Sequence, residues 1–332
     1  MLSSLRQRNH LLPGLVLILG APLTYFASTR SILLGFLVLI VSLFTFYLEL
    51  MTQWSFRAPT RRKPPIDDGS WNPTAINIDE HTVMMYHKLS SPGSPTALLI
   101  HGWTSGAVRM VHRAQPFLDR GWNVVMLDLP SHGGSSRLVK WSAEQSSTII
   151  VQALNALNQH QDALFRGPVV IFGHSMGCFI GLRISKRRTE LEFGERLAGW
   201  IFESPMTGYT EIFDETCNLL RVPQLLRSTL LRNTIRHFNA INIATTVLNS
   251  LSEADMPLWG MPSERLLLVQ ASPDERLGEA HHIRLTAEMD RQGLDAYVSA
   301  HYLATMRHSG SHDHAQRERI VGEWLDTHSS SF

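Results

Sequence analysis

The sequence predicts an α/β protein: an open, mostly parallel central sheet with helices on both faces, preceded by two transmembrane helices. Two observations lead to this fold class. From residue 11 to residue 48 the only charged side chain is Arg30, which is typical of membrane spans. Beyond Pro73, short apolar runs alternate with segments of helix length, which is typical of βα units.

The composition supports a folded chain and argues against a nucleic-acid partner. Of the 332 residues, 44% are hydrophobic and 18% are charged, which excludes a disordered chain. The formal net charge of +1 gives no overall field to attract nucleic acid. The two cysteines, Cys178 and Cys217, are too few for a disulfide framework or a four-cysteine zinc site.

The N-terminal apolar runs predict a membrane anchor over residues 1–56. Its transmembrane helices are expected at about residues 11–29 and 31–51. The uncharged runs within them, 11–29 and 31–48, would each rise roughly 27 to 29 Å as a helix, close to the thickness of a bilayer core. The first run contains Pro13 and Pro22 and follows the basic residues Arg6 and Arg8. A cleaved signal peptide is therefore an alternative for the first run.

Basic residues around the two runs predict the orientation of the chain. Arg6 and Arg8 precede the first run, Arg30 alone lies between the runs, and a basic cluster follows the second run: Arg57, Arg61, Arg62 and Lys63. Because basic residues stay on the cytoplasmic side, we expect both termini and the catalytic domain there. Trp54 should lie at the interface, and the Pro-rich residues 57–73 should form an extended linker. Deleting residues 1–56 should then release a soluble enzyme.

Residues 74–332 are predicted to form one domain. A hairpin of two strands should open it, followed by six further strands: 75–78, 82–88, 97–100, 123–127, 169–172, 197–202, 266–270 and 295–300. Residues 205–263 break this alternation with amphipathic, helical sequence that is too long for an ordinary connection. We interpret them as a helical cap inserted into the domain.

The motif Gly173-His174-Ser175-Met176-Gly177 carries the first chemical signal. It matches the G-x-S-x-G nucleophile elbow, in which a serine occupies a sharp turn between a strand and a helix. The apolar run 169–172 precedes the motif and a helix-forming segment, 178–186, follows it. Ser175 is therefore predicted to be a nucleophile, which requires a histidine base and a carboxylate to orient that base.

Asp274 is the predicted acid because it follows the strand 266–270, at the sheet edge where sites of open α/β sheets collect. Glu203 is the second choice and Glu275 the third. For the base, the segment 307–314 offers His308, His312 and His314. We choose His312 because it follows a small Ser-Gly-Ser turn and precedes the closing helix, 315–325.

The same segment could alternatively bind zinc through His308, His312, Asp313 and His314. Such a site would not require the elbow, so no metal is expected. An acyl-transfer serine also needs backbone N–H donors for the developing oxyanion. We expect these donors from Met176, which follows Ser175, and from Trp103 in the loop after the strand 97–100.

Taken in order, these motifs resemble the α/β-hydrolase family over roughly residues 73–329. The resemblance rests on His101-Gly102-Trp103, the segment from Asp128 to Ser135, the elbow, Asp274 and His312. It is closest to the esterase, monoacylglycerol-lipase and serine-aminopeptidase-like branch. The resemblance implies a Ser-Asp-His triad, an oxyanion hole at Trp103 and Met176, no cofactor and a cap. The interval from Asp274 to His312 is longer than is usual in that branch.

These features predict a membrane-anchored serine hydrolase that acts on carboxylic esters, with lipid-derived esters favoured by proximity to the bilayer. Apolar cap residues could line the entrance: Ile212, Phe213, Leu219, Leu220, Leu225 and Leu226. A peptidase or acyltransferase with the same triad stays open, and Glu211, Asp214 and Glu215 could bind the amine of a peptide. A non-catalytic scaffold is the third alternative.

Overall fold

The computed structural model describes residues 11–242 and 244–328; Arg6 and Arg8, used above for the orientation, lie outside them. The chain divides into two compact units. The first, here the hairpin unit, contains residues 1–58, 138–142 and 213–251. The second, here the sheet unit, contains residues 59–137, 143–212 and 252–332. The compact units therefore cross the domain boundaries predicted from the sequence.

The sheet unit is built on a sheet of eight strands, numbered in chain order: β1 (Asn72–Ile78), β2 (His81–Lys88), β3 (Thr96–Ile100), β4 (Asn123–Leu127), β5 (Val169–His174), β6 (Leu197–Glu203), β7 (Arg265–Ala271) and β8 (Val298–Leu303). Their order across the sheet is β1-β2-β4-β3-β5-β6-β7-β8. β2 pairs antiparallel with both β1 and β4, and all other pairs are parallel. This confirms the predicted α/β-hydrolase fold. β8 begins three residues after its predicted start because residues 295–297 form a 3₁₀ turn.

The helices of the sheet unit cover the apolar residues of the strands. They are α3 (Val111–Leu118), α4 (Ala143–His160), α5 (Met176–Lys186), α8 (Ala280–Arg291) and α9 (Ala315–His328). Alternate residues of β3, β4 and β5 point to one face, where they share a core with Phe117, Trp324 and Leu325. The intervening strand residues are also buried, so both faces are covered, as parallel sheets require.

The hairpin unit begins with two long apolar helices, α1 (Leu11–Arg30) and α2 (Ile32–Ser55). By length and composition, both could cross a membrane. In each helix only 17% of the most apolar window is buried, unlike a core helix of a soluble protein. The two helices approach closely where a Cβ on Gly20 would lie 2.8 Å from Ser42 Cβ and one on Gly35 would lie 2.8 Å from Ser28 Cβ. Small residues allow such close packing of apolar helices.

The hairpin unit also contains most of the predicted cap. Helix α6 (Thr210–Leu219) enters it, and α7 (Gln224–Ile241) lies wholly within it. α7 packs on α2. Leu48 and Met51 of α2 share a buried cluster with Cys217, Val222 and Leu230. The predicted anchor and the predicted cap therefore have a common core.

The Pro-rich linker has neither helix nor strand from Arg57 to Ser70, as expected, but it is not a free spacer. The guanidinium of Arg62 donates hydrogen bonds to the backbone carbonyls of His132 and Ser135. Ile66 packs against the core of the sheet unit. The linker is thus held along the sheet unit from residue 62 onward.

Candidate active site

The elbow has the geometry that its sequence predicts. β5 ends at His174 and α5 begins at Met176, and between them Ser175 has a φ of 53°. A Cβ on Gly177 would lie 2.0 Å from the carbonyl oxygen of Ile100, and one on Gly173 would lie 2.6 Å from the nitrogen of Cys178. Both positions therefore require glycine, and the turn exposes Ser175 at the end of a central strand.

A histidine and an aspartate from two other loops meet Ser175. His308 Nε2 lies 2.9 Å from Ser175 Oγ, and His308 Nδ1 lies 2.8 Å from Asp274 Oδ2. With its proton on Nδ1, the imidazole donates to the carboxylate and accepts from the hydroxyl. This chain of hydrogen bonds is the arrangement that activates a serine.

His312, the base chosen from the sequence, is not the histidine at Ser175. Its backbone carbonyl accepts a hydrogen bond from Arg317, and burial together with Arg109 and Arg113 lowers its pKa to about 4. His314 Nε2 lies 3.2 Å from Thr305 Oγ1. The correction to His308 shortens the interval from Asp274, and the unusual length of that interval was the signal that pointed away from His312.

Asp274 lies where the sequence placed it, in the turn after β7, and its carboxylate is fully engaged. Oδ1 accepts hydrogen bonds from the backbone N–H groups of Arg276, at 2.9 Å, and Leu277, at 2.8 Å. Oδ2 accepts from Gln270 Nε2 as well as from His308. Burial raises the pKa of this carboxyl, but the hydrogen bonds from His308 and the backbone outweigh it, so the pKa lies below its ordinary value. Asp274 is therefore an anion at neutral pH.

Two further groups hold the backbone of His308. The carboxylate of Glu275, the third choice for the acid, accepts hydrogen bonds from the backbone N–H groups of His308, at 3.3 Å, and Ser309, at 3.4 Å. On the other side, His174 Nε2 donates to the carbonyl oxygen of His308 at 3.1 Å. Glu275 and the second residue of the elbow thus restrain the loop that carries the imidazole.

Glu203, the second choice for the acid, forms a buried ion network instead. Its carboxylate accepts hydrogen bonds from Arg113 Nε at 2.8 Å and from Arg317 Nη1 at 3.4 Å. The side chains of all three residues are at most 3% exposed. Burial raises the pKa of Glu203, but the two guanidiniums outweigh it and hold the pKa far below the usual range.

The same two arginines reach the loop after β8. Arg113 Nη2 and Arg317 Nη1 both donate to the carbonyl oxygen of Ser311, at 3.2 and 2.7 Å. The network therefore joins the end of β6 to the loop of the histidine. Arg113 and Arg317 could not be predicted as part of this network, because both lie within helices and neither belongs to a local sequence motif.

The two residues predicted as oxyanion donors, Met176 and Trp103, belong to backbone segments next to Ser175. Met176 is the first residue of α5, and Trp103 lies in the turn that follows β3. A Cβ on Gly102 would lie 3.1 Å from Ser175 Cβ, so the backbone beside Trp103 passes close to the nucleophile. His101 is satisfied by backbone: Nδ1 donates to the carbonyl of Gly102, and Nε2 accepts from the N–H of Leu129.

Within the residues that the structure describes, no group of three or more histidine, cysteine, aspartate or glutamate side chains is arranged to bind a metal ion. The Ser175 site offers a hydroxyl, an imidazole, a buried carboxylate and two nearby backbone segments.

The profile of the Alpha/beta hydrolase family matches residues 97–326, so the chain belongs to that family. No curated protein matches the sequence.

Several solved structures share the fold at low sequence identity. An esterase of Pyrococcus furiosus is 14% identical, with a TM-score of 0.55, over 82% of this chain and 98% of its own. An alpha-beta hydrolase of Vibrio vulnificus is 19% identical, with a TM-score of 0.54, over 80% and 82%. Alpha/beta hydrolase domain-containing protein 10 from mouse is 13% identical, with a TM-score of 0.51, over 77% and 99%. Relatives this distant establish the fold alone.

Proposed function

We propose that this α/β hydrolase is a membrane-anchored serine hydrolase that cleaves carboxylic esters through an acyl-enzyme on Ser175. The observation that carries the proposal is the hydrogen-bonded chain Ser175–His308–Asp274 at the end of β5. Carboxylic esters are the class favoured by the sequence resemblance, and the Pyrococcus relative is described as an esterase.

In the proposed reaction, Ser175 Oγ attacks the ester carbonyl carbon while His308 Nε2 takes the hydroxyl proton. The carboxylate of Asp274 stabilises the imidazolium that forms, and the N–H groups of Trp103 and Met176 stabilise the oxyanion. When the C–O bond breaks, His308 gives the proton to the departing alkoxide and an alcohol leaves. Water then attacks the acyl-enzyme with the same base, and the carboxylic acid is released.

A fluorophosphonate probe tests the nucleophile. We expect the full-length protein to be labelled, Ser175→Ala to be unlabelled, and Ser309→Ala to be labelled normally because Ser309 is an exposed serine beside the same histidine. An unlabelled wild-type protein would refute the proposed reaction and favour a non-catalytic scaffold.

Substrate class is tested with matched p-nitrophenyl esters and p-nitroanilides of the same acyl group. We expect turnover of esters only. Glu211, one of three acidic residues that could bind a peptide amine, is hydrogen bonded to Arg284 at 2.9 Å, which argues against a peptidase. Faster turnover of the anilides would contradict the ester proposal, and comparison of short with long acyl chains would define chain length.

For the anchor, we propose that α1 and α2 cross the bilayer as a hairpin, with Arg30 on the far side and the sheet unit on the cytoplasmic side. The support is the apolar surface of both helices and the basic residues that follow α2. A reporter fused after residue 332 should be active only in its cytoplasmic form. A reporter that is active only after translocation would overturn this orientation.

A further inference from the structure

Helix α2 changes its surroundings near its C-terminal end. Large apolar side chains from Ile32 to Phe44 are exposed, whereas Leu48, Met51 and Gln53 are buried. Leu48 and Met51 are covered by the predicted cap, residues 205–263, which is called the inserted segment from here on, because they share the cluster that contains Val222 and Leu230. If the exposed stretch lies in the bilayer, the inserted segment begins where the hydrocarbon ends.

A second contact fixes the direction of α7 relative to α2. Beyond the level of Leu230, the ring of His237 packs on Phe56, with ring centroids 4.7 Å apart. Along both chains, the second contact therefore lies farther from the exposed apolar stretch than the first. At 1.5 Å per residue, the distance along the chain is roughly 8 Å from Met51 to Phe56 and about 10 Å from Leu230 to His237. The N-terminal end of α7 and the turn that joins it to α6 therefore lie toward the exposed apolar stretch of α2, which is the end nearer the proposed bilayer.

That turn, taken here as residues 219–225 with the helix ends beside it, has a surface that is unusual for a soluble protein. Leu219 is 78% exposed and Leu225 is 91% exposed. The surrounding sequence is basic: between Glu215 and Glu253 there is no acidic residue and there are four arginines, Arg221, Arg227, Arg232 and Arg236. Exposed leucines beside arginines are the chemistry of segments that lie in the headgroup layer of a bilayer.

We propose that the α6–α7 turn is a second membrane-contacting surface, which inserts Leu219 and Leu225 at the boundary of headgroups and acyl chains and places Arg221 beside anionic headgroups. The proposal rests on the membrane anchor proposed above. The partner that we propose for this surface is the bilayer around the hairpin. The cluster of Leu48 and Val222 joins the turn directly to the hairpin helix α2. The inserted segment would then be fixed to the membrane by the hairpin and by its own turn.

Site-directed fluorescence on the full-length protein tests this. A bimane label is attached to Leu225→Cys, to Leu37→Cys in the exposed stretch of α2, and to Val247→Cys in the inserted segment, where Val247 is 56% exposed. The two native cysteines are buried, so the unsubstituted protein serves as the labelling control. Each variant is reconstituted into vesicles of phosphatidylcholine and phosphatidylglycerol, with or without nitroxide-labelled lipid.

We expect nitroxide lipid to quench the labels at positions 37 and 225 by about twofold or more, and to leave the label at 247 unchanged. Quenching at 37 without quenching at 225 overturns the proposal but leaves the anchor intact. No quenching at 37 overturns the anchor and the proposal together. Quenching at 247 equal to that at 225 shows that a different face lies on the bilayer and overturns the assignment to the turn.

Two further measurements identify what covers the turn and test the role of its positive charge. Shielding of position 225 from aqueous iodide, without quenching by nitroxide lipid, would mean that a second copy of the chain covers the turn and would refute a bilayer occupant. Vesicles without phosphatidylglycerol should show less quenching at 225 and unchanged quenching at 37. Equal quenching at 225 in both lipids would overturn the role of Arg221.

Discussion

Replacing His308 or His312 by alanine is the sharpest test of the site, because sequence and structure assign the base differently. His308→Ala removes the acceptor 2.9 Å from Ser175 Oγ and the partner 2.8 Å from Asp274. His312→Ala removes a side chain that contributes to neither bond. Its pKa of about 4 also leaves it uncharged at neutral pH, so its loss changes no charge near the site.

The expected magnitudes differ by several orders. Without its base, a triad serine loses about six orders of magnitude in kcat, or about 8 to 9 kcal/mol of transition-state stabilisation. A substitution away from core and network side chains changes free energies by about 0.5 kcal/mol, which corresponds to a rate change of roughly twofold. His308→Ala should therefore be nearly inactive, and His312→Ala should retain close to the full rate.

The assay is kcat and kcat/KM on a short p-nitrophenyl ester, together with the rate of fluorophosphonate labelling. Thermal unfolding of each variant controls for loss of the fold. Near-normal turnover by His308→Ala, together with loss of turnover by His312→Ala, would refute the assignment of the base. Loss in both variants with unchanged unfolding would mean that the loop acts as a unit.

Four further outcomes follow from the geometry. Asp274→Asn should lower kcat about 10⁴-fold without unfolding the protein, because the amide favours the wrong imidazole tautomer. Glu203→Gln should lower the free energy of unfolding by about 3 to 5 kcal/mol in chemical denaturation, since it leaves the buried guanidinium of Arg113 without its anion and leaves Arg317 with Glu318 alone. Deleting residues 1–56 should produce aggregated protein by size-exclusion chromatography, because it uncovers the cluster packed on Leu48 and Met51. Thermal stability should fall as the pH drops below about 6.5, because histidines in the unfolded chain then bind protons that the same histidines do not bind in the folded protein. Burial lowers the folded-state pKa values of His101, His132 and His174 to about 4, 3 and 3.

The two substitutions each have a matched control variant. Asp295→Asn, in the 3₁₀ turn before β8, should leave kcat unchanged, and Glu195→Gln, an exposed carboxylate, should leave stability unchanged. The sign of the pH effect follows from the lowered folded-state pKa values, so stability is full above the unfolded pKa and is lost as the pH falls through it. A Tm that rises on acidification would contradict this reasoning. A monodisperse, active protein lacking residues 1–56 would restore the sequence-based expectation of an independent domain.

The local features of this protein can be predicted from its sequence. Strands, the elbow around Ser175 and the turn of Asp274 follow from hydrophobic periodicity and from glycines that a tight turn requires. The apolar helices α1 and α2 follow from length and the near absence of charge. These signals are local because they depend on residues within a few positions of each other.

Which distant side chains meet depends on the packing of the whole fold. Three histidines within seven residues look equivalent in sequence, but their distances to Ser175 depend on how the loop after β8 is held. That loop is held by Glu275 and His174, and by arginines that also neutralise Glu203. The shared core of α2 and α7 was likewise invisible, because each helix shows an apolar face without showing what covers it. Long-range packing, which periodicity does not encode, places His308 at Ser175 and joins α2 to the predicted cap.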